Sequence, residues 1–195
     1  MQIKDSWLLP DSVGREPEIK ERYLRYRKQS IAHFKEQCDW RSYVFCFRPE
    51  CREVVLLQLM DQLPSGYFYQ IASDVWNDVS LPSICCDFIG MICLDAKNKG
   101  IDVGRFMMNQ DELSLREKMI GGTTAYRSHA ENNCVRCSWT TCREWAIQHG
   151  EFAGYSLLST CKLEHEQIYA VFSRRRTLEV IVDVSKIEVY ETMRL

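Results

Sequence analysis

Three short stretches in the last third of the chain carry side chains suited to one another. Tyr126-Arg127 closes a run of β-forming residues, Ser138-Trp139-Thr140 closes the next, and Glu179 opens a later one. A guanidinium is a rigid fork of donors that matches phosphate and ribose oxygens. A hydroxyl both donates and accepts, so it can hold a carboxylate in place. A carboxylate in a cleft stabilises positive charge as it develops on a reacting carbon. Taken singly, each stretch has an ordinary explanation. An Arg ending a strand is usually a surface residue, a Ser-Trp-Thr strand is usually half core, and the Glu of Leu-Glu-Val-Ile-Val alternates outward. Their order along the chain is what draws notice. No Walker loop, GxGxxG, HExxH or GxSxG motif accompanies them.

These residues need elements to position them. After Gly122, short β-rich runs alternate with turns: Thr123–Arg127, Arg136–Thr140, Tyr155–Cys161, Ile168–Phe172, Leu178–Asp183 and Lys186–Glu191. One helix, about Thr141–His149, interrupts them. Before Gly122 the pattern is helical. Residues 16–37 open with Glu16-Pro17-Glu18, a helix start, and Ile19, Tyr23 and Tyr26 share a face. Further helices are expected over 50–62, over 67–79 with Phe68, Ile71 and Val75 as core face, over 83–99 with Gly100 as stop, and from Asp111 to Ile120. Tyr43–Phe47 reads as a short strand or buried turn. Helices followed by strands argue an α+β fold rather than alternating βαβ units. With no linker rich in Gly, Ser or Pro, the chain reads as one structural unit over 1–195, helical to 120 and β-rich from 121 to 195.

The bulk properties exclude several classes. The chain has 195 residues, 46% of them hydrophobic and 27% charged, and a net charge of −2, so no basic field announces a nucleic-acid partner. No secretion signal opens it, and no apolar run reaches the ~18 residues of a membrane span. Reduced thiols in the cytoplasm are the expectation for its 10 cysteines. Cys134 and Cys137 form a CxxC with Cys142 nearby, but no second pair follows at zinc spacing, so free thiols are expected and no metal. Cys85, Cys86 and Cys93 read as small core residues. Arg22, Arg25 and Lys28 form a basic stripe, most simply a solvated helix face.

The stretches TTAYRS (123–128), CSWTTCREWA (137–146), GYSLLST (154–160), IYAVFSRRR (168–176) and TLEVIVD (177–183) together resemble the ADP-ribosyltransferase-like family, in the branch with Arg, Ser-containing strand and Glu signatures. The resemblance is good over roughly the last 75 residues and loose upstream, where Val75-Trp76-Asn77-Asp78 also fits. It implies a helical N-terminal part packed on a core of two small antiparallel sheets. It implies NAD⁺ as substrate, bound by Tyr126, Arg127, Ser138, Trp139 and Thr140, with Arg127, Ser138 and Glu179 catalytic. Cleavage of the nicotinamide–ribose bond passes through an oxocarbenium-like state, as in glycoside hydrolysis, and Glu179 is the carboxylate that would stabilise it. Arg127, Ser138 and Glu179 should then line one cleft.

One position departs from the family. Members that modify arginine carry a second acidic residue two positions before the catalytic Glu, and here that position is Thr177. Arginine modification is thereby disfavoured, while another side chain, a nucleobase or water stays open as acceptor. Arg174, Arg175 and Arg176 read either as a solvated turn or, on the acceptor side with Thr177, as a phosphate-attracting rim. These features favour RNA or DNA slightly over protein. The resemblance implies a mono-ADP-ribosyltransferase, a bacterial or phage effector or toxin, with an inhibitory antitoxin among its expected partners and no membrane association. The alternatives are an NAD⁺ glycohydrolase on the same residues and a non-catalytic interaction protein on the same fold.

Overall fold

The computed structural model describes residues 3–13, 16–78, 88–131, 136–174 and 177–195. The expectations for Cys85, Cys86, Cys134, Arg175, Arg176 and the first residues of the 83–99 helix lie outside them. The architecture is α+β: eight α-helices and one antiparallel six-stranded sheet among the described residues. Where the sequence reads as one unit, the structure divides into two compact units, residues 1–84 and 85–195. The division precedes the change of texture near residue 120, because the helices just upstream of the strands bury their apolar faces against the sheet.

The first unit is helical. It contains α1 (Pro17–Glu36), α2 (Trp40–Phe45), α3 (Pro49–Leu57) and α4 (Ser65–Asp78). Helix α1 begins with Pro at its first position, where the missing N–H costs nothing. Its inward face is only partly the expected one. Ile19 and Tyr26 are exposed, while Tyr23 is half-buried together with Leu24 and Phe34, and Ile31 is buried. Arg25 pairs with Glu21 at 3.1 Å and Lys28 with Asp5 at 2.7 Å on the solvated side. Tyr43–Phe47 is neither strand nor simple turn. Its first residues belong to α2, which Asp39 caps by accepting from the Ser42 N–H at 3.1 Å. Phe68, Ile71 and Val75 of α4 are buried as expected.

The second unit carries α5 (Phe88–Asn98), α6 (Gly104–Met107), α7 (Gln110–Glu117), β1 (Thr123–His129), β2 (Ser138–Thr140), α8 (Arg143–Ala153), β3 (Leu157–Leu163), β4 (Ile168–Phe172), β5 (Glu179–Val182) and β6 (Val189–Arg194). The strand order is β4-β5-β2-β1-β3-β6. The last strand falls three residues later than the sequence suggests, since Val184–Lys186 forms a 3₁₀ turn capped by Asp183. Helices α5, α6 and α7 pack on β4 and β5, and most residues of those two strands are buried. Helix α8 packs on β1 and β3 and ends at Gly154, whose φ of +70° suits the left-handed C-cap.

The sheet is one rather than the two expected, yet it has a seam. β1 pairs along its whole length with β3, from Thr123↔Leu163 to His129↔Leu157. It meets β2 at a single position, Tyr126↔Thr140. β2 in turn pairs with β5 through Ser138↔Ile181, Trp139↔Val180 and Thr140↔Glu179. Two three-stranded halves are thus hinged at one residue pair, and beyond it β1 and β2 part.

No helix among the described residues is long and apolar enough to cross a membrane.

Candidate active site

The parting of β1 and β2 opens a cleft of about 220 Å³. Its walls come from both halves of the sheet and from α8. β1 supplies Tyr126, Arg127 and Ser128, and β2 supplies Ser138, Trp139 and Thr140. Thr177 and Glu179 enter from the β5 side, and Trp145, Ala146, His149 and Tyr155 close the third wall. Arg127, Ser138 and Glu179, 52 positions apart at the extremes (127 to 179), therefore meet in one cleft.

The register explains the meeting. Directly opposed residues of an antiparallel pair share a face, as do residues two apart on one strand. Thr140 opposes Glu179, so Glu179, Thr140 and Ser138 share one face. The Ser138 hydroxyl donates to Glu179 Oε1 at 2.5 Å and orients the carboxylate. Tyr126 opposes Thr140, which puts the next residue, Arg127, where the strands separate. There its guanidinium donates to the Ser138 carbonyl that a continuing ladder would have engaged.

Trp139 and Thr140, which also line the cleft, hold its frame together. Trp139 is only 2% exposed and forms the floor, its indole N–H donating to the Arg136 carbonyl at 2.7 Å. The Thr140 hydroxyl donates to the Leu178 carbonyl at 3.0 Å and accepts from the Cys142 N–H at 3.2 Å. It ties the end of β2 to the approach of β5 and to the start of α8, a buttress for the strand that lines the cleft.

Arg174 departs from the expected rim. It lies outside the cleft wall, and its guanidinium donates to the buried Glu112 carboxylate at 2.9 Å and to the Met107 carbonyl at 2.6 Å. Glu112 Oε1 also accepts from the Ser173 N–H at 2.9 Å. The cause is Glu112 itself: fully buried in the capping box of α7, it needs a cation, and Arg174 reaches it. Thr177, by contrast, does line the cleft beside Glu179.

Sequence reasoning missed Ser128 and His149. Ser128 is buried on β1, and its hydroxyl hydrogen-bonds His149 Nδ1 at 3.2 Å. Partial burial of the His149 ring, and then the nearby Arg127 charge, hold its pKa below the ordinary histidine value. The signal was present in the spacing: Trp145 and His149 are four apart, on one face of the helix that follows the Ser-Trp-Thr strand. No family model, no curated protein and no solved structure matches the chain.

Proposed function

We propose that this protein binds NAD⁺ in the cleft between β1 and β2 and breaks its nicotinamide–ribose bond, passing ADP-ribose to an acceptor. The observation that supports this best is the convergence of Arg127, Ser138 and Glu179 on one cleft, with the Ser138 hydroxyl on the Glu179 carboxylate at 2.5 Å. A carboxylate held in this way suits the ribose hydroxyls and the positive charge that grows at the anomeric carbon as nicotinamide leaves. Arg127 is the cation at hand for the phosphate next to that ribose. The cleft, at about 220 Å³, is smaller than the ~300–1,000 Å³ that encloses a drug-sized ligand. It fits the nicotinamide-riboside end, with the adenosine end outside. In this reading the halves β4-β5-β2 and β1-β3-β6 are the two small sheets of an ADP-ribosyltransferase-like core, parted at the substrate.

The engagement of Arg174 with Glu112 removes one of the cations that favoured a nucleic-acid acceptor. The acceptor is best decided by labelling. The protein and a Glu179→Gln variant are incubated with labelled NAD⁺ and cell lysate, and the products are split with protease and with nuclease. Label transferred by the wild type and lost in the variant supports the transferase, and the digestion names the acceptor. Loss of NAD⁺ without label makes water the acceptor, a glycohydrolase on the same residues. Neither label nor NAD⁺ loss removes the enzymatic reading and leaves an interaction protein.

A further inference from the structure

On the reading of the cleft just given, we infer that His149 takes the proton of the incoming nucleophile, and hence that the acceptor presents a hydroxyl, of water or of a larger molecule. The first support is placement. His149 stands on the cleft wall formed by α8, across from the β5 side that carries Glu179, and it is solvent-accessible. The second is orientation. Nδ1 meets the Ser128 hydroxyl at 3.2 Å, and the ring lies 5.9 Å from that of Tyr155 at 51°. With Nδ1 as donor to Ser128, the Nε2 lone pair faces away from that bond and, among the described residues, has no hydrogen-bond partner. A base needs such an oriented ring with one nitrogen left for its substrate.

The third support is the glycine next to it. A Cβ on Gly150 would sit 2.8 Å from Ser128 Cβ and 3.3 Å from Ser128 Oγ. Helix α8 approaches β1 closely enough for the Ser128–His149 contact because residue 150 has no side chain. Among the described residues, the ionisable groups sharing the cleft with His149 are Tyr126 and Arg127 of β1, Glu179 of β5, and Tyr155. Partial burial of the ring, and then the nearby Arg127 charge, lower its pKa and so favour the unprotonated form that can accept a proton.

The step balances. An acceptor oxygen attacks the anomeric carbon of the ribose, and the glycosidic bond breaks with its electron pair going to nicotinamide, which leaves neutral. The acceptor's proton moves to His149 Nε2. A carboxylate or phosphate acceptor would carry no proton to remove. A guanidinium or ammonium acceptor would meet the Arg127 charge in a cleft where Thr177 offers it no countercharge. A hydroxyl fits both conditions.

The test measures NAD⁺ turnover by the full chain as wild type, His149→Ala and His149→Gln, across pH 5–8, with and without added imidazole. The expected result is a fall in kcat of roughly 10²-fold or more in both variants with KM nearly unchanged. The acid limb of the wild-type profile should vanish in the variants. Imidazole should restore His149→Ala in proportion to its unprotonated fraction, which a merely structural histidine would not allow. His149→Gln keeps a polar side chain on the helix and guards against a folding failure in the alanine variant. Wild-type turnover with unchanged kcat in both variants, or a persisting acid limb, overturns the role of His149 and leaves the cleft reading intact. Absence of turnover in the wild type overturns both.

Discussion

Replacing Glu112 by Ala should loosen the β4–β5 turn that delivers Thr177 and Glu179 to the cleft. Glu112 is 0% exposed and accepts from the Asn109 N–H at 2.9 Å, the Ser173 N–H at 2.9 Å and the Arg174 guanidinium at 2.9 and 3.2 Å. Hydrogen bonds to a charged group contribute about 1.5–3 kcal/mol each, and removing one partner of a buried ion pair costs about 3–5 kcal/mol. The Arg174 side chain keeps 29% exposure and can turn toward water, which sets the expectation at the lower end, about 3 kcal/mol. Glu112→Gln keeps the shape and one carbonyl acceptor but loses the charge, so it should cost less, about 1–2 kcal/mol. Native-state hydrogen exchange, read by mass spectrometry on peptides covering β4 and β5, reports the opening free energy where the pin acts. A change under about 1 kcal/mol in the alanine variant would refute the claim that this carboxylate anchors the turn.

Two further outcomes are expected. Ser138→Ala removes the donor that orients Glu179, and the loss of one charge-assisted hydrogen bond of about 1.5–3 kcal/mol should lower the proposed NAD⁺ turnover roughly 10–100-fold. Equal turnover in wild type and variant would show that the carboxylate needs no such support. Asp183 gives a pH signature. Burial opposes its ionisation, but Lys97 at 2.5 Å and the Ser185 hydroxyl and N–H outweigh it and hold its pKa at about 2, below the ordinary 3.8. The unfolded chain therefore binds this proton more readily. The stabilisation from Asp183 is present above pH 3.8 and fades as pH falls toward 2. Acid unfolding of Asp183→Asn should be flatter than wild type over that window, and superimposable curves would contradict the assignment.

What the sequence by itself determined was local. Pro17 and its acidic neighbours start α1, the spacing of Phe68, Ile71 and Val75 turns α4 inward, and alternation with turn residues announces the strands after Gly122. These rest on backbone sterics and periodicity, which act within a few residues. Tyr43–Phe47 shows the limit of such signals: a short apolar run has no period of its own, and the Asp39 cap decides for helix at its start. The residue types that could act on a sugar phosphate were also legible, in order along the chain. Tertiary structure alone decided where they stand. The single pair Tyr126↔Thr140 joins the two halves of the sheet and opens the cleft beside it. The register Thr140↔Glu179 puts the carboxylate in reach of Ser138. The burial of Glu112 turns Arg174 inward, away from the role its position in an arginine run suggests, and the bare backbone of Gly150 lets His149 reach Ser128. Each of these depends on which distant residue arrives opposite. That is settled by register, close packing and the need of a buried charge for a partner, none of which is written in any one stretch of sequence.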